Sequence, residues 1–134
     1  MEFAASLGDL YVSIHNNFAP SKNDKKIPNP EPSGTETFFY PHDFDSWAGI
    51  SSERAAQIMQ RHVVAGFGSL DRGAKQARYY QLDNARIPSI LVEVGFLSNQ
   101  SDFEKLCSDE YKRRVAEAVY SGIVEIFGVY SPAR

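Results

Sequence analysis

Two short apolar stretches each carry one side chain able to do chemistry. Tyr11-Val12-Ser13-Ile14-His15-Asn16-Asn17 brings an imidazole to the end of a strand-like run. Ser89-Ile90-Leu91-Val92-Glu93-Val94-Gly95-Phe96 is almost continuously apolar and interrupted by one carboxylate. A run of that kind reads as a strand buried on both faces, as in a parallel sheet covered by helices. An unpartnered carboxylate is costly there, so Glu93 needs a partner, a hydrogen-bond network, or a site opening at the strand end. In open α/β sheets, ligands bind outside the carboxyl ends of the strands. A histidine and a glutamate meeting there would supply a metal ligand and a general base. The bland alternatives are a strand-end histidine held by a hydrogen bond, and a carboxylate bonded to backbone N–H groups or to Arg72.

The remaining candidates are weaker. His42, near Asp43 and Asp45, reads as loop surface, and His62 lies in a helical stretch beside Arg61 and Val63. Neither has a metal-ligand spacing with His15. Glu36 could face a cleft or solvent. Phe38, Phe39 and Tyr40 read as core and rim, while Tyr79 and Tyr80 are ambiguous. The single cysteine, Cys107, excludes an internal disulfide and a cysteine-rich zinc site, and beside Leu106 it reads as a core filler.

The elements that must position these groups can be read along the chain. Residues 2–9 look like the end of a helix and a turn at Gly8-Asp9, and Leu10 to Ile14 is the first strand. Ala19 to Gly34 carries Pro20, Pro28, Pro30 and Pro32, so it is a surface loop and a candidate wall of the site. Thr35 to Tyr40 is a strand ended by Pro41. Ser51 and Ser52 offer caps for a helix to about Ala65, with an apolar stripe at Ala55, Met59 and Val63 and stops at Gly66 and Gly68. Ala77 to Asp83 reads as extended, and Pro88 introduces the Glu93 strand. Asn99 and Ser101 precede a helix through Leu106, with Ser101 and Glu104 as a capping box. A last helix, Asp109 to Phe127, carries Val115, Val119, Ile123 and Phe127 on one stripe. The expectation is an α/β protein with a largely parallel sheet flanked by helices.

Bulk properties narrow the function. The 134 residues suit one domain, 1–134, with a modest core. A hydrophobic share of 43% against 23% charged excludes a disordered chain. The net charge of −3 argues against nucleic acid as the main partner. No apolar stretch approaches the roughly 20 residues that span a bilayer. The start, Met1-Glu2-Phe3-Ala4, lacks the basic region of an export signal.

In order, Tyr11 to Asn17, Gly34-Thr35-Glu36-Thr37, Asp71-Arg72-Gly73-Ala74-Lys75 and Val92-Glu93-Val94-Gly95-Phe96-Leu97-Ser98-Asn99 resemble the zinc-dependent N-acetylmuramoyl-L-alanine amidases. The resemblance runs over nearly the whole chain. It implies a phosphorylase/hydrolase-like sheet and hydrolysis of the amide between muramic acid and the stem peptide of bacterial peptidoglycan. It also implies a cell-envelope location, periplasmic or extracellular. His15 falls on the last zinc-ligand histidine of that family and Glu93 on its catalytic glutamate. Asn16 replaces the usual small residue. Arg72 and Lys75 match a basic turn by the substrate cleft, with Asn17 beside it.

Family members open with a glycine–histidine–glycine strand and a helical glutamate that complete the zinc site. Neither motif stands before His15. The chain is therefore expected to be an N-terminally incomplete catalytic domain, metal-poor and inactive alone. An exposed sheet edge should then favour self-association. The rival reading is a non-catalytic peptidoglycan-binding or regulatory module that keeps the fold without the metal site.

Overall fold

The computed structural model describes residues 8–42 and 49–130. The expected helix end at residues 2–7, Asp43 and Asp45 lie outside the described residues. The elements run β1 (Tyr11–Asn17), β2 (Thr35–Phe39), α1 (Ser52–Phe67), β3 (Asp71–Gln76), α2 (Tyr80–Asp83), β4 (Ser89–Phe96), α3 (Gln100–Cys107) and α4 (Asp109–Tyr130). Four strands form one sheet in the order β1-β4-β2-β3. β1 runs parallel to β4 and β2 parallel to β3, while β2 and β4 are antiparallel. The sheet is mixed, with two of its three pairings parallel, and the α/β class holds.

Alternation along β4 divides the sheet faces. Ile90, Val92 and Val94 pack with Phe39 of β2 against α1 and α4. From α1 that core takes Ala55, Ala56, Ile58, Met59, Val63 and Phe67, all fully buried. The larger of these side chains each stabilise the fold by about 1.5–3 kcal/mol. α1 is also tied to the sheet by a polar contact: buried Gln60 accepts from Thr37 Oγ1 and donates to Thr35 O and Asp71 Oδ1. The other face of the sheet carries His15, Glu93 and Glu36.

Several expectations need correction. Asp71 to Gln76 is a strand, not a basic turn; it is polar because it is the sheet's outer strand. Tyr80 to Asp83 is one turn of helix inside the segment read as extended. Gly66 lies within α1, and only Gly68, left-handed at φ 63°, ends it. The α3 cap is Asn99, whose Oδ1 accepts from Asp102 N, so Ser101 and Glu104 form no capping box. Cys107, at the end of α3, is exposed and fills no core. Phe127 stands at the exposed end of its stripe, beyond the reach of the α1 contact.

Two strand glycines adopt positive φ, Gly73 at 87° and Gly95 at 70°. Each sits where the ladder slips by one residue, between the pairings Thr35↔Asp71 and Thr37↔Ala74, and between His15↔Glu93 and Asn17↔Phe96. A one-residue bulge shifts the following side chains to the other face. Arg72 and Lys75, three apart, would point to opposite faces of a regular strand; the bulge puts both on the Glu36 face. Gly95 likewise brings Phe96 round to the face of Glu93. There the Arg72 guanidinium lies over the Phe96 ring, 4.9 Å from its centroid.

A Cβ at position 95 would lie 2.9 Å from the Phe67 ring, in a backbone conformation that L-residues rarely adopt. Strain and overpacking together predict that Gly95→Ala loses about 2–4 kcal/mol. Urea unfolding at neutral pH measures this, and an unchanged midpoint would contradict the bulge as described.

Candidate active site

His15, Glu93 and Glu36 occupy one rung across three strands. His15 pairs with Glu93 in the parallel β1/β4 ladder, and Glu36 pairs with Glu93 in the antiparallel β2/β4 ladder. Register partners share a face, so the imidazole and both carboxylates point the same way. The rung lies towards the C-terminal ends of β1 and β4. β2 runs the other way, which brings Glu36 to that end from the start of its own strand.

The two carboxylates differ in their partners. Glu36 is only 5% exposed. Its Oε2 accepts from Lys75 Nζ at 2.5 Å and Arg72 Nε at 3.1 Å, and its Oε1 from Asn17 Nδ2 at 2.8 Å. Burial alone would push its carboxyl up; the hydrogen bonds from Lys75 and Arg72, with their charges, outweigh that and hold it below the usual value. Glu93 Oε2 is buried with no hydrogen-bond partner, a condition shared among the described residues only by Ser89 Oγ. Burial raises the proton affinity of Glu93, His15 opposes the rise, and the charge of Glu36 adds to it.

The three residues expected to meet substrate, Asn17, Arg72 and Lys75, therefore all converge on Glu36. Arg72 also donates to Ser33 O at 3.4 Å. The alternative of Arg72 as partner to Glu93 is not realised, nor do backbone N–H groups satisfy Glu93 Oε2. Exposed His15 bonds through Nε2 to Ser13 Oγ at 2.8 Å. The other two histidines are elsewhere. His42 Nε2 donates to Leu82 O at 2.8 Å, and His62 Nε2 meets Glu125 Oε2 at 2.5 Å on the α1–α4 surface.

The proline loop packs against the start of α3, beyond the C-terminal end of β4. Residues 19–29 fold back on themselves, Ser21 N donating to Ile27 O and Asn29 N to Ala19 O. The loop is pinned where Ala19 N meets Ser98 Oγ and Asn99 Nδ2 meets Pro30 O. Asp102, 4% exposed, closes the frame, because its Oδ2 accepts from Gly34 N and Phe96 N, both at 2.9 Å. One carboxylate thus holds the start of β2 against the end of β4. Its identity was hidden in sequence because an acid in the first turn of a helix reads as an ordinary dipole partner. Glu36 was open in sequence, and its signal was the pair of cations on the adjacent strand.

The donor set can be tested against a metal ion. One exposed imidazole and one half-buried carboxylate face each other, and among the described residues no group of three His, Cys, Asp or Glu side chains could hold a metal. A catalytic zinc takes three protein ligands and an open position. The described residues fall short of that.

The fold and the rung define a mixed α/β domain with a half-buried carboxylate between a histidine and a second carboxylate at a strand end. Comparison with known proteins agrees. The sequence pattern of the N-acetylmuramoyl-L-alanine amidases matches residues 4–125, and the chain belongs to that family. It is 35% identical over 124 residues to the N-acetylmuramoyl-L-alanine amidase LytC of Bacillus subtilis, covering 92% of this chain and 23% of that protein. An uncharacterized B. subtilis protein, YqiI, is 36% identical over 120 residues, covering 90% of this chain and 52% of the other. An N-acetylmuramoyl-L-alanine amidase structure from Clostridium difficile 630 overlays with a TM-score of 0.78 at 28% identity, over 94% of this chain and 62% of that one. The chain spans about half of YqiI and a quarter of LytC.

Two predictions rest on the carboxylates. The lowered pKa of Glu36 means that its stabilisation is present above the ordinary value of 4.5 and is lost as pH falls through the folded-state value. Wild type should lose more stability than Glu36→Gln on acidification below about pH 4.5. At neutral pH the variant should be less stable by about 1–3 kcal/mol. Parallel acid-limb slopes in urea titrations of the two proteins would refute this. Glu93→Gln should do the opposite, raising stability at neutral pH by on the order of 1 kcal/mol, since it replaces a half-buried carboxylate that has one buried, unbonded oxygen with a neutral amide. A lower melting temperature for Glu93→Gln would show that Glu93 has a stabilising partner.

Proposed function

We propose that this chain carries the base of an enzyme that hydrolyses the amide between N-acetylmuramic acid and L-alanine in bacterial peptidoglycan. The observation that carries the reading is the bare carboxylate of Glu93 on the same rung as His15, within a chain of the amidase family. In amide hydrolysis, the oxygen of water bonds to the carbonyl carbon and the carbon–nitrogen bond breaks. Glu93 takes the proton from the attacking water and returns it to the departing nitrogen, which leaves as the free amine of alanine. A carboxylate with raised proton affinity suits both transfers.

Asn17, Arg72 and Lys75 fix Glu36 beside Glu93. The parts of Arg72 and Lys75 that remain open to solvent form the floor on which substrate carboxylates are held. Zinc is the expected metal. We propose His15 as one of its ligands, with the others outside the described residues. Residues 1–134 are then part of one catalytic domain of a cell-envelope hydrolase, periplasmic or extracellular. No helix among the described residues is long and apolar enough to cross a membrane. The outer edge of β1, where Ile14 is 55% exposed, supports a tendency to self-associate.

Among the described residues no group of three metal-binding side chains stands together, and the rival reading is a wall-binding module without catalysis. The two are separated by incubating the purified chain, with zinc supplied, on cell wall and counting the amino groups released. Hydrolysis that falls at least about 100-fold in Glu93→Gln supports the amidase reading. Full activity in that variant removes Glu93 as base; stoichiometric zinc bound by the purified chain counts against the rival, and wall binding without metal favours it.

A further inference from the structure

Glu93 supplies a proton acceptor, but nothing so far fixes the substrate's orientation from the α2 side. Tyr79 stands there. It directly precedes α2, and its carbonyl accepts from Leu82 N at 3.0 Å and Asp83 N at 2.8 Å, so the helical turn fixes its backbone. Its ring meets Phe38 edge-on, with centroids 5.1 Å apart and planes at 75°. Phe38 lies on the same face as Glu36, two residues further along β2, opposite Leu91 of β4. The Phe38 contact therefore holds the Tyr79 ring at the border of the Glu36–Glu93 rung.

The hydroxyl is not used in this packing. Tyr79 is 39% exposed, and its phenol oxygen makes no hydrogen bond among the described residues. Partial burial, then the charges of Glu93 and Glu36, push its proton affinity up. The phenol thus remains an O–H donor throughout the neutral range, within the field of both carboxylates. Ring packing alone would need only phenylalanine at this position. The unexplained feature is a partly exposed phenol that no hydrogen bond occupies, on a ring packed against the strand residue two along from Glu36.

We propose that Tyr79 is a specificity-determining residue of this site, its hydroxyl donating a hydrogen bond to an acceptor oxygen of the muramoyl peptide next to the amide that Glu93 serves. The assignment rests on the amidase reading. A donor on one side and a base on the other would set the scissile amide in register with Glu93, which is how positioning contributes to rate.

The test compares wild type with Tyr79→Phe, which keeps the ring, and Tyr79→Ala, which removes it. On a soluble muramoyl-L-alanyl peptide, Tyr79→Phe should raise KM roughly three- to tenfold, the worth of one neutral hydrogen bond, with the loss appearing in KM more than in kcat. Its urea midpoint should match wild type, while Tyr79→Ala should also lose stability. In a Glu93→Gln background, where turnover is blocked, the same peptide should bind roughly three- to tenfold more weakly once Tyr79 is Phe. If wild type cleaves and Tyr79→Phe has the same KM, the role of Tyr79 is overturned and the amidase reading stands. If wild type neither cleaves nor binds the peptide, the amidase reading fails and takes this inference with it.

Discussion

Two carboxylates face each other on neighbouring strands, and the donors of Arg72, Lys75 and Asn17 all go to one of them. Glu36 and Glu93 face each other across the β2/β4 ladder, so each disfavours the charge of the other. Arg72, Lys75 and Asn17 all serve Glu36. A fully bonded, buried carboxylate of this kind stays ionised and rigid. Its fixed negative charge then bears on Glu93, which has no donor of its own. Burial first, and then the charge of Glu36, raise the proton affinity of Glu93 while its neighbour is fully bonded.

Getting two cations to one carboxylate required breaking the strand rule. In a regular strand Arg72 and Lys75 would lie on opposite faces, one of them directed into the α1 core. The Gly73 bulge removes that conflict. Gly95 does the same for Phe96, which supplies the flat surface on which the Arg72 guanidinium rests. A planar guanidinium held by a ring on one side and a carboxylate at its edge has little rotational freedom left, so Glu36 is held by a preorganised partner. Both glycines therefore belong to the site, although neither has a side chain to contribute.

These same features explain what could be read in the sequence. β1 was legible from Tyr11, Val12 and Ile14, although it is only half-buried to exposed. β4 was legible because burial makes it apolar, and Glu93 stood out against that background. The stripe of Ala55, Met59 and Val63 was legible for the same reason. β3 was not, since Asp71-Arg72-Gly73-Ala74-Lys75-Gln76 is an outer strand whose alternation is interrupted by its bulge. Arg72 and Lys75 were recognised as a cationic pair, but their partner lies 36 and 39 residues earlier in the chain. Only strand order brings Glu36 to them. Asp102 was hidden because its bonds go to Gly34 N and Phe96 N, a tertiary use of a residue whose local context suggests a helix start.

The frame around the rung accounts for how an uncompensated carboxylate persists at all. A bare buried oxygen favours any rearrangement that lets in water or swings the side chain out. β4 resists this along its length, because Ile90, Val92 and Val94 are locked into the α1–α4 core on the opposite face. Its C-terminal end is held separately, by Asp102 on Phe96 N and by Leu97 N donating to Asn17 O. The strand therefore cannot rotate Glu93 away without giving up core packing and both end contacts together. One unbonded buried oxygen is kept in place by many ordinary contacts elsewhere, which is the general condition for a destabilised group to survive in a folded protein.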